Sequence, residues 1–155
     1  MRSDQVAKWV ALGANLGVLI GLVLLIFELS QTRKMMKAQV RHELAMGIVD
    51  ILQVPASNQE LARALVRANA GEELTPLEMY QVRMRTNALF RYWEDVHYQY
   101  RIGLYDDAEF ERQREAWRAS FTRSALQKTY WCEVKSHYSE SFSAEIDALF
   151  LKDDC

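Results

Sequence analysis

The longest feature in the hydrophobic pattern is an uninterrupted apolar run near the N-terminus. Residues 9–27 read WVALGANLGVLIGLVLLIF and contain no Asp, Glu, Lys or Arg. At about 1.5 Å per residue, a helix of this length spans roughly the hydrocarbon core of a bilayer. The pattern therefore predicts a transmembrane helix over residues 9–29, preceded by a short tail over residues 1–8.

Small residues recur on one side of this predicted helix. Gly13, Gly17 and Gly21 are spaced every fourth residue, which leaves one stripe of the helix without side chains and lets a second helix approach closely. Leu24 falls on the same side. We expect a homo-oligomer that forms through this glycine zipper, with Gly13, Gly17, Gly21 and Leu24 at the interface.

Two polar residues accompany the apolar run. Glu28 falls on the side of the glycines, so an oligomer would either gather these carboxylates in a ring or leave each one solvated or paired with Arg33 or a neighbour's Lys34. Asn15 falls on roughly the opposite side, where an amide in lipid needs a partner on another helix or within its own.

The apolar pattern continues past the span at a helical period. Its positions step by three and four residues: Met36, Val40, Leu44, Gly47, Ile51 and Val54. This spacing predicts a juxtamembrane helix over residues 30–54 that continues the anchor. Pro55 biases the preceding residue away from helix, so we expect a break there.

Basic residues are more numerous after the span than before it. Arg33, Lys34, Lys37 and Arg41 follow the span and are expected to contact anionic lipid headgroups. Because Lys and Arg mark the cytoplasmic side, the C-terminal part should be cytoplasmic and the N-terminus outside. A cleavable signal peptide is the alternative, but no small-x-small cleavage site follows the long run, so an uncleaved anchor is favoured.

Start and stop signals divide residues 55–155 into further helices. Ser57 with Glu60 reads as a capping box for a helix over 58–69 that stops at Gly71. The remaining signals predict a long helix from Thr75-Pro76-x-Glu78 to Ile102 and Gly103, a helix opened by an Asp106–Glu109 capping box, a helix over 125–137, and a short helix over 142–151.

The long helix has two apolar stripes, which suggests that it packs on two sides and forms the centre of the bundle. One stripe is Leu89, Trp93, Val96 and Tyr100, and the other is Leu77, Tyr80, Met84 and Ala88. Later helices should bury Phe110, Trp117, Phe121, Leu126, Tyr130, Val134, Phe142, Ile146 and Phe150. No strand pattern is present, so the predicted fold class is all-α: one transmembrane helix that continues into a cytoplasmic helical bundle.

Charge and cysteine content narrow the function classes. The 155 residues carry a formal charge of −2, which provides no field that would attract DNA or RNA. The two cysteines, Cys132 and Cys155, form no C-x-x-C pair. We therefore expect free thiols in a reducing compartment.

One pair of residues has the spacing of a metal site. Glu94 and His97 form a Glu-x-x-His pair, which is half of a carboxylate-bridged di-iron site in a helical bundle. No second Glu-x-x-His pair occurs, so Glu94 and His97 are only weak metal candidates, and His97 bonded to a neighbour inside the bundle is the simpler interpretation. No phosphate loop or nucleophile elbow is present. We predict no metal and no cofactor.

Several short motifs are similar to those of a set of proteins. The chain has Glu28-x-x-Gln31-Thr32 after the anchor, then Phe90-Arg91-x-Trp93-Glu94, Gln99-Tyr100-x-x-Gly103-Leu104, Trp117 and Trp131. It resembles a widespread, uncharacterised set of short single-pass bacterial membrane proteins with a helical cytoplasmic domain. Those proteins often have Gln-Asn-Thr after the anchor, where this chain has Gln31-Thr32 directly. The resemblance implies a bacterial inner-membrane location and no particular activity.

Three functions are open at this point. The first is a membrane-anchored interaction protein, without enzymatic activity, that self-associates through its anchor and binds an unidentified partner through its helical domain. The second is a small oligomeric cation channel with Glu28 at its mouth. The third is a metal-dependent enzyme built on Glu94 and His97.

Overall fold

The structure of the chain is a computed structural model that describes residues 2–149 and Cys155, without the side chains of residues 2, 4, 6 and 7. Over these residues the chain forms six α-helices and one short 3-10 helix, and no strand. The predicted all-α class is therefore confirmed. The chain divides into two compact units, one up to Gln39 and one over Val40–Cys155. We call the second unit the helical domain and describe each unit by itself.

The first helix, α1, covers Arg2–Ser57. It includes the predicted tail, the predicted span and the predicted juxtamembrane helix. The expected break at Pro55 is wrong, because Pro55 lies inside the helix. A proline cannot donate a backbone N–H to the carbonyl four residues earlier, and its ring crowds that carbonyl. The helix continues past Pro55 for only two residues and ends at Ser57.

Helix α2 covers Gln59–Asn69 and α3 covers Pro76–Arg101. The α2 cap is Asn58, whose Oδ1 accepts from the Leu61 N–H at 3.0 Å, so the Ser57–Glu60 capping box is wrong. The Ser57 hydroxyl instead donates to the Gln53 carbonyl at 2.9 Å. The other signals are confirmed: both hydrogen bonds of the Thr75–Glu78 capping box form, and Gly71 and Gly103 have φ of +74° and +77°.

The last elements are α4 over Asp107–Arg123, α5 over Ala125–Val134, the 3-10 helix over Lys135–His137 and α6 over Glu140–Asp147. Asp106 caps α4 by accepting from the Ala108 N–H at 3.1 Å. Glu109 instead forms an ion pair with Arg41 at 2.9 Å, so the predicted Asp106–Glu109 capping box is wrong and Asp106 caps α4 alone. Helix α5 ends earlier than expected, and α6 begins two residues before Phe142.

The core of the helical domain is largely aromatic. Phe90 on α3 is fully buried, and its ring centroid lies 5.2 Å from Trp131 on α5 and 5.7 Å from Phe121 on α4. Leu44 from α1 and Ile146 from α6 are buried in the same cluster. In the predicted α3 stripe, Leu89, Trp93 and Val96 are buried and Tyr100 is half-buried. Phe150 lies outside the described residues.

The second apolar stripe of α3 is not covered. Leu77, Tyr80 and Met84 are 65%, 62% and 43% exposed, and Ala88 is exposed as well. The prediction that α3 packs on two sides through this stripe is therefore wrong. The second buried face of α3 is instead built from Val82, which packs with Leu61 and Ala64 of α2.

The two cysteines are joined. Cys132 on α5 and Cys155 form a disulfide with a Cα–Cα distance of 5.5 Å, which is within the normal range for such bonds. The expectation of free thiols is therefore wrong. No C-x-x-C motif connects the two positions, so local spacing gave no sign that they are neighbours.

Candidate functional site

The apolar segment of α1 is exposed along its whole length. The helix is long and apolar enough to cross a membrane, and none of its most apolar 18-residue window is buried. Thirteen large apolar side chains between Trp9 and Phe27 are between 46% and 72% exposed. A Cβ added at Gly13, Gly17 or Gly21 would meet nothing within 4 Å. The glycine stripe is therefore an open surface, with Leu24 exposed beside it.

Most of the polar and basic residues predicted to lie within or beside the membrane span are also exposed. Asn15, Glu28, Arg33 and Lys34 all lie on the surface of α1. Neither the carboxylate ring nor the pairing of Glu28 is tested by a single copy of the chain, so the channel stays a prediction. Of the other two basic residues, Lys37 is half-buried and Arg41 is exposed.

The Glu94 side chain is held by hydrogen bonds within the helical domain. The Glu94 carboxylate accepts from Arg91 Nη1 and from the Ser139 N–H, both at 2.8 Å. Burial alone would raise the pKa of Glu94, but these hydrogen bonds hold the pKa below its ordinary value. The Ser139 bond ties α3 to the start of α6. Among the described residues no group of three or more His, Cys, Asp or Glu side chains could hold a metal ion.

His97 itself lies in the aromatic core. It is 5% exposed, and its ring centroid lies 6.0 Å from Phe110 and 5.8 Å from Phe142. Burial lowers the pKa of His97 below its ordinary value, against a smaller opposite effect of Glu145. The neutral imidazole is thus the form that this core accommodates.

An apolar groove lies where the end of α1 and helices α2 and α3 meet. It has a volume of about 400 Å³ and is lined by Ile51, Val54, Leu61, Tyr80 and Met84, with Asp50 and Arg85 among its polar residues. The groove therefore contains most of the α3 stripe that no other element covers. It is an exposed apolar surface of the helical domain.

A second, more polar cavity lies among α2, α3, α4 and the N-terminus of α5. Its volume is about 210 Å³, and its lining includes Thr86, Ser120, Arg123, Ser124 and Gln127. Arg85 lines both this cavity and the groove. No Asp or Glu side chain is among the described residues that line the cavity.

Two polar groups in this cavity are buried without partners. Gln127 is 6% exposed, and its Nε2 has no hydrogen-bond partner among the described residues. The Nε atom of Arg85 is also buried and has no partner within the same part of the chain. Burial lowers the pKa of Arg85 because a charge removed from water loses its solvation. Native structures leave few such groups unsatisfied.

Neither Arg85 nor Gln127 has a signal in the sequence that marks it as a site residue. Each sits in an ordinary polar position of an amphipathic helix, and the cavity is formed only when α2 and α3 meet α4 and α5, which are distant from them in sequence. The one local signal is Ser124, which caps α5 by accepting from the Gln127 N–H at 3.3 Å. That cap predicts a helix start and gives no indication of a cavity.

Comparison of the chain with protein-family models, with curated proteins and with solved structures finds no match.

Proposed function

We propose that this chain is a membrane-anchored helical assembly protein, without enzymatic activity of its own. The observation that carries the proposal is the exposed apolar segment of α1. Burying one large apolar side chain is worth about 1.5 to 3 kcal/mol. Leaving thirteen of them in water would forgo on the order of 20 kcal/mol, which exceeds the roughly 5 to 15 kcal/mol that stabilises a whole domain. A bilayer removes this cost.

Self-association is the second part of the proposal. Lipid solvates leucine side chains as well as another helix does, so helices in a membrane associate where small residues allow close packing. Gly13, Gly17 and Gly21 supply such a stripe, and it is unoccupied by any other part of the described chain. The oligomer would hold several helical domains at one membrane surface, where we expect them to meet a protein partner.

The test compares two insertions of bulk on the same helix. Gly17→Leu with Gly21→Leu fills the stripe, whereas Ala11→Leu adds the same kind of side chain about 120° around the helix. We expect the purified wild-type chain and Ala11→Leu to be oligomers in detergent and in nanodiscs, and the double glycine variant to be a monomer. Light scattering after size exclusion gives the masses. An unchanged mass of the double variant would contradict self-association through the stripe.

Orientation is part of the proposal, and two features favour opposite answers. The basic residues Arg33, Lys34 and Lys37 after the span favour a cytoplasmic helical domain, with the same residues available to anionic headgroups in a bacterial inner membrane. The Cys132–Cys155 bond favours an oxidising compartment, where disulfides persist. We propose the cytoplasmic orientation, in which cellular thiols would reduce the bond that the structure shows.

Thiol trapping in cells decides the orientation. Cells that express the full chain are quenched with acid and alkylated under denaturing conditions before any reduction. The cytoplasmic orientation predicts two modified cysteines per chain in the mass spectrum. A chain that carries no modification until a reductant is added would place the helical domain on the oxidising side of the membrane.

A further inference from the structure

The polar cavity at the start of α5 has a donor-rich lining that the fold itself leaves unused. Arg85 and Arg123 contribute guanidinium groups, and Gln127 contributes an amide N–H₂ that has no partner among the described residues. The α5 N-terminus adds backbone N–H groups and the positive end of a ten-residue helix. With no carboxylate among the described lining residues, the positive charge of the cavity has no matching negative charge there.

The Gln127 side chain is held in a fixed orientation. Its Oε1 accepts from the Ser120 hydroxyl at 3.0 Å, and its backbone N–H donates to Ser124 Oγ at 3.3 Å. Gln127 lines the cavity, and with Oε1 and the backbone held in this way its buried N–H₂ group has no partner among the described residues. A buried donor left without an acceptor costs about 1 to 3 kcal/mol, and a bound anion would remove that cost.

We propose that this cavity is a binding site for a phosphate-type oxyanion, with Arg85, Arg123 and Gln127 as its donors. Guanidinium groups match the geometry of phosphate oxygens and bind them by charge-assisted hydrogen bonds. At about 210 Å³, the cavity is several times the roughly 30 Å³ share of one water molecule. It therefore has room for a phosphate group with part of the molecule that carries it. The phosphate can come from a soluble compound or from a lipid headgroup, and both present the same oxygens.

The first experiment measures the thermal unfolding midpoint of the full chain in detergent, with inorganic phosphate against sodium chloride of equal ionic strength. Phosphate stabilises folded proteins in general because it is excluded from their surface. The decisive quantity is therefore how much of the phosphate-induced rise in the unfolding midpoint is lost when a cavity residue is replaced. Arg85→Gln and Arg123→Gln should each lose it and should weaken phosphate binding in calorimetry at least about tenfold. Arg112→Gln, an exposed arginine on α4 outside this cavity, is the matched control and should behave as wild type.

The second experiment distinguishes the two sources of phosphate. The full chain is placed in nanodiscs of phosphatidylcholine with and without phosphatidic acid, whose headgroup is a phosphate monoester. A stabilisation by inorganic phosphate that needs Arg85 and Arg123 supports a soluble ligand. The same dependence seen only with phosphatidic acid supports a lipid headgroup. The proposal is wrong if neither probe raises the unfolding midpoint of the wild type more than that of Arg85→Gln. It is also wrong if Arg112→Gln loses as much of the phosphate-induced stabilisation as Arg123→Gln. Because Arg123 is exposed, its replacement tests the site even if Arg85→Gln folds poorly.

Discussion

The bond between Cys132 and Cys155 should stabilise the helical domain substantially. The two residues are separated by 23 positions, and closing a loop of that length in the unfolded chain removes entropy worth about 3 kcal/mol at 25 °C. In a domain of about a hundred residues, a loss of that size lowers the Tm by on the order of 10 °C. Helix α6, which lies between the two cysteines in the sequence, buries Phe142 and Ile146, so loosening the loop also frees core contacts.

The assay is unfolding of the purified full chain in detergent, followed by the near-ultraviolet circular dichroism of its buried tryptophans. Oxidised wild type should unfold about 10 °C above the same protein in excess reductant. A chain with both Cys132→Ser and Cys155→Ser should match the reduced wild type and should not respond to reductant. Equal midpoints for the oxidised and reduced wild-type chains would refute the reasoning.

Three further predictions concern the core. Phe90→Ala removes the ring at the centre of the aromatic cluster and should cost about 4 kcal/mol in chemical denaturation; a loss under about 1 kcal/mol would show that Phe90 is not central. Asp147→Ala removes the acceptor of the buried Trp131 Nε1–H, 3.0 Å away, and should cost about 1 to 3 kcal/mol in the same assay. The isosteric Asp147→Asn should retain most of the stability, and equal losses in both variants would contradict the role of Asp147 as this acceptor. The lowered pKa of His97 means that the unfolded chain binds a proton below about pH 6.5 more readily than the folded chain, so stability is fully present above that pH and falls as the pH drops towards the lowered folded pKa. Chemical denaturation is repeated between about pH 7 and pH 5, a range that brackets the ordinary histidine pKa. The stability of the wild type should decline over this range, and that of His97→Leu should change less. Identical profiles for the two chains would contradict the role of His97.

Features fixed by local chemistry could be predicted from the sequence. The Thr75–Glu78 capping box and the glycine at position 103 define the ends of α3 because they depend on neighbouring residues alone. The apolar run of α1 is likewise a property of one continuous segment. Burial on α3 from Leu89 to Val96 follows from a stripe of large apolar side chains on one face of the helix, which favours packing against other helices.

The wrong predictions arose where two local interactions compete or where distant segments meet. Ser57 and Asn58 can both cap α2, and the Ser57 hydroxyl bonds backwards into α1 instead. An apolar stripe such as that of Tyr80 and Met84 indicates a surface that can pack, but whether another helix covers it depends on the whole arrangement. The disulfide of Cys132 and the cavity around Gln127 depend in the same way on residues far apart in the chain.

The measurement that tests the central proposal most directly is alkaline carbonate extraction of membranes from cells that express the full chain. Anchoring by residues 9–27 predicts that the wild-type protein stays in the membrane pellet. Leu19→Arg with Leu22→Arg, which places two charges in the span at about 2.5 to 3.5 kcal/mol each at the helix centre, should move it towards the supernatant. Extraction of the wild-type protein into the supernatant by carbonate alone would contradict the anchor.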